Sequence, residues 1–150
     1  MRERIEPIPI PENARYFAAD LGERGKHHMR LPDFQAIEAL STLVRRPDVD
    51  LGTDLGTYIY AGAAIGLCWY HRGYELETPE PATLGADALY AYSRAVNSEL
   101  FEAGYDQGHV IRMAYAIMAR ISEQRGLRRK AAEVLGNGAA AEKPQPSTST

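Results

Sequence analysis

Apolar residues recur at helical spacing from Phe34 onward, with Phe34, Ile37, Leu40 or Leu43, and Val44 marking one face of a first helix. Asp33, just after Pro32, is placed to accept the free N–H groups of its first turn, and Arg46-Pro47 stops it. After a loop from Pro47 to Asp54 the pattern changes. Between Leu55 and about Arg72 apolar side chains fall on every side (Tyr58, Ile59, Tyr60, Ile65, Leu67, Cys68, Trp69), which predicts a central helix enclosed by protein and closed by Gly73. Gly62 and Gly66 share a face one turn apart, where another helix backbone can come close; core packing is the leading reading, an oligomer seam the other. Tyr74–Gly85, with Pro79 and Pro81, reads as a loop. A third helix starts at Asp87 or just before it, faces inward through Leu89, Tyr92, Val96 and Leu100, and ends at Gly104. Asp106 caps a fourth, whose stripe of Val110, Ala114, Ile117 and Ile121 runs up to Gly126. A last amphipathic piece, Leu127 to Leu135, carries Ala131 and Val134.

Ahead of the helices, residues 1–12 alternate isoleucine (Ile5, Ile8, Ile10) with proline (Pro7, Pro9, Pro11). Each proline fixes φ and pushes its predecessor out of the helical region, so this arm is expected to be extended. It can dock on its own domain, cross to a neighbouring subunit, or be a loosely packed lead-in. Residues 13–32 fit two patterns: a short helix from Ala14 to Leu21, or a hairpin of Arg15–Asp20 with Lys26–Leu31 about Gly22-Glu-Arg-Gly25. The two glycines favour the hairpin. Beyond Gly136 no apolar anchor remains and disorder is expected. The expected fold is mainly α: a compact bundle of four to five helices around a buried central helix, with an extended N-terminal arm and a short hairpin. The divisions are 1–32 for arm and hairpin, 33–135 for the helical domain and 136–150 for the tail, with no internal repeat.

Composition narrows the class. A chain of 150 residues, 45% apolar and 25% charged, suits one globular domain. Its formal charge of −3 supplies no global attraction to nucleic acid or to an anionic membrane. The longest uncharged stretch, Leu55 to Tyr70, falls short of the about 20 residues a membrane span needs. The N-terminus has mixed charge and no apolar run, unlike a secretory signal. These features lead to the expectation of a cytoplasmic protein.

Candidate chemistry is sparse. Cys68 and His71, three apart on the expected central helix, could face one metal, but only His27, His28 and His109 remain as further nitrogen donors. A buried thiol and a helix-end histidine explain the pair without metal. His27-His28 reads as a solvated strand pair. None of the serines at 41, 93, 98 and 122 sits in a Gly-x-Ser-x-Gly turn, and Leu51-Gly-Thr-Asp-Leu-Gly56 lacks the lysine of a phosphate loop. Glu75, Glu77 and Glu80 fall in a loop expected to be solvated. No catalytic residue, metal ligand or cofactor site is assigned, and the expected class is not an enzyme.

Charge is more informative. From Tyr74 to Glu102 six acids face one base, a balance of −5; from Arg112 to Lys130 six bases face one acid, a balance of +5. Bases near a helix C-terminus are partly explained by the dipole. Unlike patches also suit head-to-tail self-association, and Arg128-Arg129-Lys130 could contact phosphate. Nine tyrosines, most in or beside the helices, add amphipathic rings suited to protein contacts.

The segment Ala61-Gly-Ala-Ala-Ile-Gly-Leu-Cys-Trp69, the proline-bearing loop, Tyr92 to Glu102 and Tyr105 to Ile121 resemble small helical proteins encoded among bacteriophage tail genes, the tail assembly chaperones. The resemblance covers about residues 30–123 and carries over no site residues. It implies a non-enzymatic helical protein of the host cytoplasm that binds the tape-measure protein and the tail-tube subunit during virion assembly. The expected function is therefore protein binding, as a homo-oligomer or with other chains. Ile5, Ile8, Ile10, Arg125, Arg128, Arg129 and Lys130 are the contact candidates. The alternatives are a nucleic-acid accessory using the basic C-terminal helix and a small enzyme of unrecognised type. Residues 136–150 hold no large apolar side chain, so deleting them is expected to leave the thermal midpoint unchanged in a calorimetric scan.

Overall fold

Gly22 and Gly25 decide between strand and helix near the N-terminus. In the computed structural model, which describes residues 15–71 and 76–140, both take positive φ (67° and 80°). They flank a 3-10 turn, Gly22–Arg24, that reverses the chain between strands β1 (Tyr16–Asp20) and β2 (Lys26–Arg30). The strands pair antiparallel, Tyr16 opposite Arg30 and Asp20 opposite Lys26, and the Asp20 carboxylate accepts from Gly22 N at 3.0 Å. Strand alternation sends Phe17, Ala19, His27 and Met29 into the core. The expected solvated His27-His28 pair is thereby corrected: neighbours on a strand face opposite ways, and His27 is buried while His28 is not.

Asp33 caps helix α1 (Phe34–Leu43) as expected, accepting from Ala36 N at 2.8 Å. Ile37, Leu40 and Leu43 are all buried. Phe34, expected on the inner face, is 56% exposed, because Ala36 and Ile37 are the first-turn residues that face inward. Thr53 opens helix α2 (Asp54–Cys68) by accepting from Gly56 N at 3.0 Å. From Ile59 to Cys68 every residue of α2 is buried, as expected of a central helix.

The expected continuation of this helix to Arg72 is corrected. It stops at Cys68, and Trp69–His71 forms strand β3 on the free edge of β2, with Met29 opposite Trp69 and His28 opposite His71. The sheet order is β1-β2-β3. Large aromatic side chains such as those of Trp69 and Tyr70 fit a pleated surface, and the ladder on β2 satisfies backbone groups that another helical turn would have paired internally. Gly73, the expected helix closure, lies outside the described residues.

Helix α3 (Ala86–Glu102) packs across α2 at the two glycines. A Cβ at Gly62 would sit 2.5 Å from the Ser93 carbonyl oxygen, and one at Gly66 would collide with the Tyr92 ring. At this approach Ser93 Oγ donates to the Ile59 carbonyl and Asn97 Nδ2 to the Tyr58 carbonyl. The core-packing reading of the glycine pair holds, and Leu89, Tyr92, Val96 and Leu100 are buried as expected. Gly104 ends α3 at φ +93°; Tyr105 N bonds back to the Leu100 carbonyl and Gly104 N to that of Phe101, a Schellman closure.

Helix α4 spans Gln107–Ala140 and packs on α2 and β1. Val110, Met113, Ala114, Ile117 and Ile121 form its buried stripe. The expected stop at Gly126 and the separate Leu127–Leu135 piece are corrected to one continuous helix. A helical glycine costs only about 1 kcal/mol, and the flanking Arg, Leu, Lys and Ala residues are strong helix formers. The helix also takes in positions 136–140, assigned to the tail from sequence; residues 141–150 and the arm with Ile5, Ile8 and Ile10 lie outside the described residues. Among the described residues there are thus four α-helices, at the lower end of the expected number, with a small antiparallel sheet.

Gly66→Leu is expected to destabilise the fold by about 1–3 kcal/mol or more, because the seam cannot open without moving α3. Urea unfolding checks this; a wild-type midpoint would contradict the assignment of the glycine face to the core.

Candidate interaction surface

The Cys68–His71 pair does not form a site. Cys68 closes α2 within the core while His71 pairs along β2, so the helical spacing that would have aligned them is absent. Burial pushes the Cys68 thiol well above its ordinary value, the reverse of an activated nucleophile. Among the described residues no three His, Cys, Asp or Glu side chains are grouped as metal ligands.

The buried histidines instead fasten the hairpin to the α3–α4 corner. His27 Nε2 lies 2.7 Å from the Tyr105 hydroxyl, and the Tyr105 ring meets Trp69 and His109 edge-on, each at 6.0 Å between centroids. Arg24 stacks 3.9 Å over the same ring and donates to the Ala103 carbonyl at 3.1 Å. At the start of α4, Asp106 Oδ1 accepts from His109 N at 2.9 Å, and His109 Nδ1 accepts from Asp106 N at 3.0 Å. This is a capping box with histidine in the place of glutamate. Because Nδ1 accepts, the ring proton sits on Nε2, which is directed at Glu23 Oε2, 3.3 Å away. A backbone N–H and His109 together hold the Glu23 carboxyl below its usual value. The Asp-x-x-His spacing was the available sequence signal for this corner.

The charged segments divide into committed and outward-facing groups. Glu99 binds the loop before α3, accepting from Thr78 N at 2.8 Å and from Thr78 Oγ1 at 2.7 Å. Asp87 pairs with Arg46, which also binds Asp48 at 2.9 Å and stacks on Tyr90. On the basic side Arg120 bonds Glu123 at 3.0 Å and stacks on Phe17, tying α4 to β1.

Beyond Ile121 the character of α4 changes, and no described residue from Ser122 onward is buried. With about 1.5 Å of rise per residue, this part of the helix extends about 28 Å past its buried stripe. Arg125 Nη2 donates to Ser41 Oγ at 2.5 Å, joining this part of the helix to the body. Ser122, Arg125, Arg129 and Ala132 line a shallow open depression on it. Of the four basic contact candidates, Arg125, Arg129 and Lys130 are exposed along this half; Arg128 belongs to the same helix, with its side chain outside the described residues. The candidates Ile5, Ile8 and Ile10 cannot be placed, lying outside the described residues. Sequence reading did not anticipate that Val134 and Leu135 would be 70% and 75% exposed. Among the described residues, no helix is long and apolar enough to cross a membrane. Neither a protein-family model, nor a curated protein, nor a solved structure matches this chain.

Arg125 also reaches the core electrostatically. Burial, helped by the neighbouring Cys68 thiol, pushes the Tyr60 phenol up to about 12, and Arg125 pulls it slightly back. The unfolded chain releases this proton near 10, while the folded chain holds it until about 12. Between those values the native state binds more protons at this group, so the contribution of Tyr60 to stability is full below pH 10 and is lost as pH rises toward 12. Urea midpoints measured across that window are expected to decline, and to decline less in Tyr60→Phe.

Proposed function

We propose that this chain is a non-enzymatic protein-binding module that offers the C-terminal half of α4 to other polypeptides. The observation that carries this is the exposure of Arg125, Arg129 and Lys130 beside exposed Val134 and Leu135, on a helical segment with no buried residue among those described. Apolar side chains of this kind supply affinity, and flanking cations supply steering and register. The fitting partner is an acidic segment with apolar side chains spaced along it. A second copy of this chain meets part of that description, since the segment around α3 carries Glu77, Glu80 and Glu102 with Phe101 74% exposed. Head-to-tail contact of this sort gives a homo-oligomer. The resemblance to tail assembly chaperones supports the same kind of activity, and makes tail-tube and tape-measure proteins the first heterologous chains to try.

Light scattering of the full chain at low and high salt tests the proposal. A mass above the monomer is expected at low salt, falling with added salt and with Arg128→Glu combined with Arg129→Glu. Monomers under every condition, with no binding to an acidic tail-type subunit, would overturn it. Tight binding to duplex DNA with a steep salt dependence would replace it with the nucleic-acid reading.

A further inference from the structure

We infer that the partner of α4 is a second copy of this chain, and that the surface it meets there is the exposed knuckle of residues 50–55 at the start of α2. The contact is made twice about a two-fold axis and closes as a dimer. This deepens the proposed function and rests on its reading that the C-terminal half of α4 binds polypeptide.

The first ground is chemistry. In Asp50-Leu-Gly-Thr-Asp-Leu55 every residue is exposed, Leu51 at 39% and Leu55 at 64%. Its two carboxylates recur at an interval of four, as do its two leucines, with no cation between them. This is the acidic segment with spaced apolar side chains that α4 calls for. The surface around α3 fits less well, because among the described residues Phe101 is its single large exposed apolar side chain. Neither Asp50 nor Asp54 has an ion-pair partner among the described residues, and nor do Arg129 and Lys130. An interface between copies sets these carboxylates against these cations, and Leu51 and Leu55 against Val134 and Leu135.

The second ground is rigidity. Asp50 Oδ1 accepts from Gly52 N at 2.9 Å, Thr53 Oγ1 donates to the Asp50 carbonyl at 2.7 Å, and Thr57 Oγ1 donates to the Leu51 carbonyl at 3.0 Å. A knuckle held in this way loses little entropy when a partner lies on it.

The third ground is placement. α4 packs on α2 and runs antiparallel to it: Trp69, just past the end of α2, meets Tyr105, just ahead of α4, while Arg125 acts on Tyr60. From Tyr60 back to Leu55 and from Arg125 on to Lys130 the two helices cover the same rise, about 8 Å, so Lys130 comes level with Leu55. Val134 and Leu135 stand about 6–8 Å further on, past the N-terminal end of α2. A continuous helix does not turn back there, so within one chain this apolar pair does not reach the leucines. Basic and acidic surfaces side by side at one end are self-complementary under a two-fold rotation, which closes the contact at two copies.

Light scattering at low salt tests this on the full chain and on two charge-reversed variants, Asp50→Lys with Asp54→Lys and Arg129→Glu with Lys130→Glu. The wild type is expected at twice the monomer mass. Each variant alone is expected to dimerise at least tenfold more weakly, because the altered surface repels its counterpart. An equimolar mixture of the two is expected to restore the dimer, since both contacts then join opposite charges, and this rescue excludes misfolding as the cause of the loss. Asp50→Asn with Asp54→Asn, which keeps the acceptor for Gly52 N, is expected to weaken the dimer in the same direction. An unweakened dimer in both Asp50 and Asp54 double variants, a mixture of folded variants that stays monomeric, or a wild-type mass that climbs past two copies would overturn the inference. A monomeric wild type that still binds an acidic tail-type subunit removes the inference alone, whereas one that binds no such subunit removes the proposed function with it.

Discussion

The close approach of α2 and α3 is the constraint on which the rest of the domain depends. Gly62 and Gly66 remove the side chains that would hold the two backbones apart, and Ser93 and Asn97 use the space to bond the carbonyls of Ile59 and Tyr58. Each glycine costs helix propensity, and the cost is offset by packing and by the hydrogen bonds that Ser93 Oγ and Asn97 Nδ2 donate to α2 carbonyls inside the core. With α3 seated there, α2 has its other sides free for α1 and α4, and a helix apolar all round is enclosed. Burial around this seam raises the ionisations of Cys68, Tyr60 and Tyr92 above their ordinary values by penalising the charged forms.

A second set of contacts converts the helical layer and the small sheet into one body. Gly104 turns the chain sharply enough to present Tyr105, and Arg24, His27, Trp69 and His109 gather around that ring. His27 and His109, two of the four histidines, thus act as fasteners here. Histidine supplies a ring for packing and a nitrogen for capping in one side chain, which explains its use at Asp106–His109.

Elements with local signals were legible in the sequence. Asp33 before a periodic run and Gly104 after a helix each act within a few residues, so the α1 start and the α3 end could be read directly, whereas the glycines at 22 and 25 only favoured a hairpin over a short helix. The end of α2 could not be read this way. Trp69 and Tyr70 extend an apolar pattern that suits helix or strand alike, and the deciding partner is the free edge of β2, about forty residues earlier in the chain. The burial of His27 is hidden for a related reason: adjacency to His28 in sequence says nothing of the alternation that sends neighbours on a strand to opposite faces. The basic run from Arg125 to Lys130 was visible, but its setting was not, because Gly126 was read as a stop. One glycine among strong helix formers is too small a penalty to end a helix already anchored by five buried apolar residues.

That anchoring gives the two halves of α4 different thermodynamic character. The half up to Ile121 unfolds only with the core, whereas the half beyond it holds its helical form through propagation from the anchored turns. Helix–coil opening of this end proceeds inward from Ala140 without exposing core surface, so it constitutes a separate low-energy unfolding unit. Whatever polypeptide lies along it raises the free energy of that opening. Amide exchange between Ser122 and Leu135 is therefore a direct reporter of occupancy, readable without disturbing the remainder of the domain.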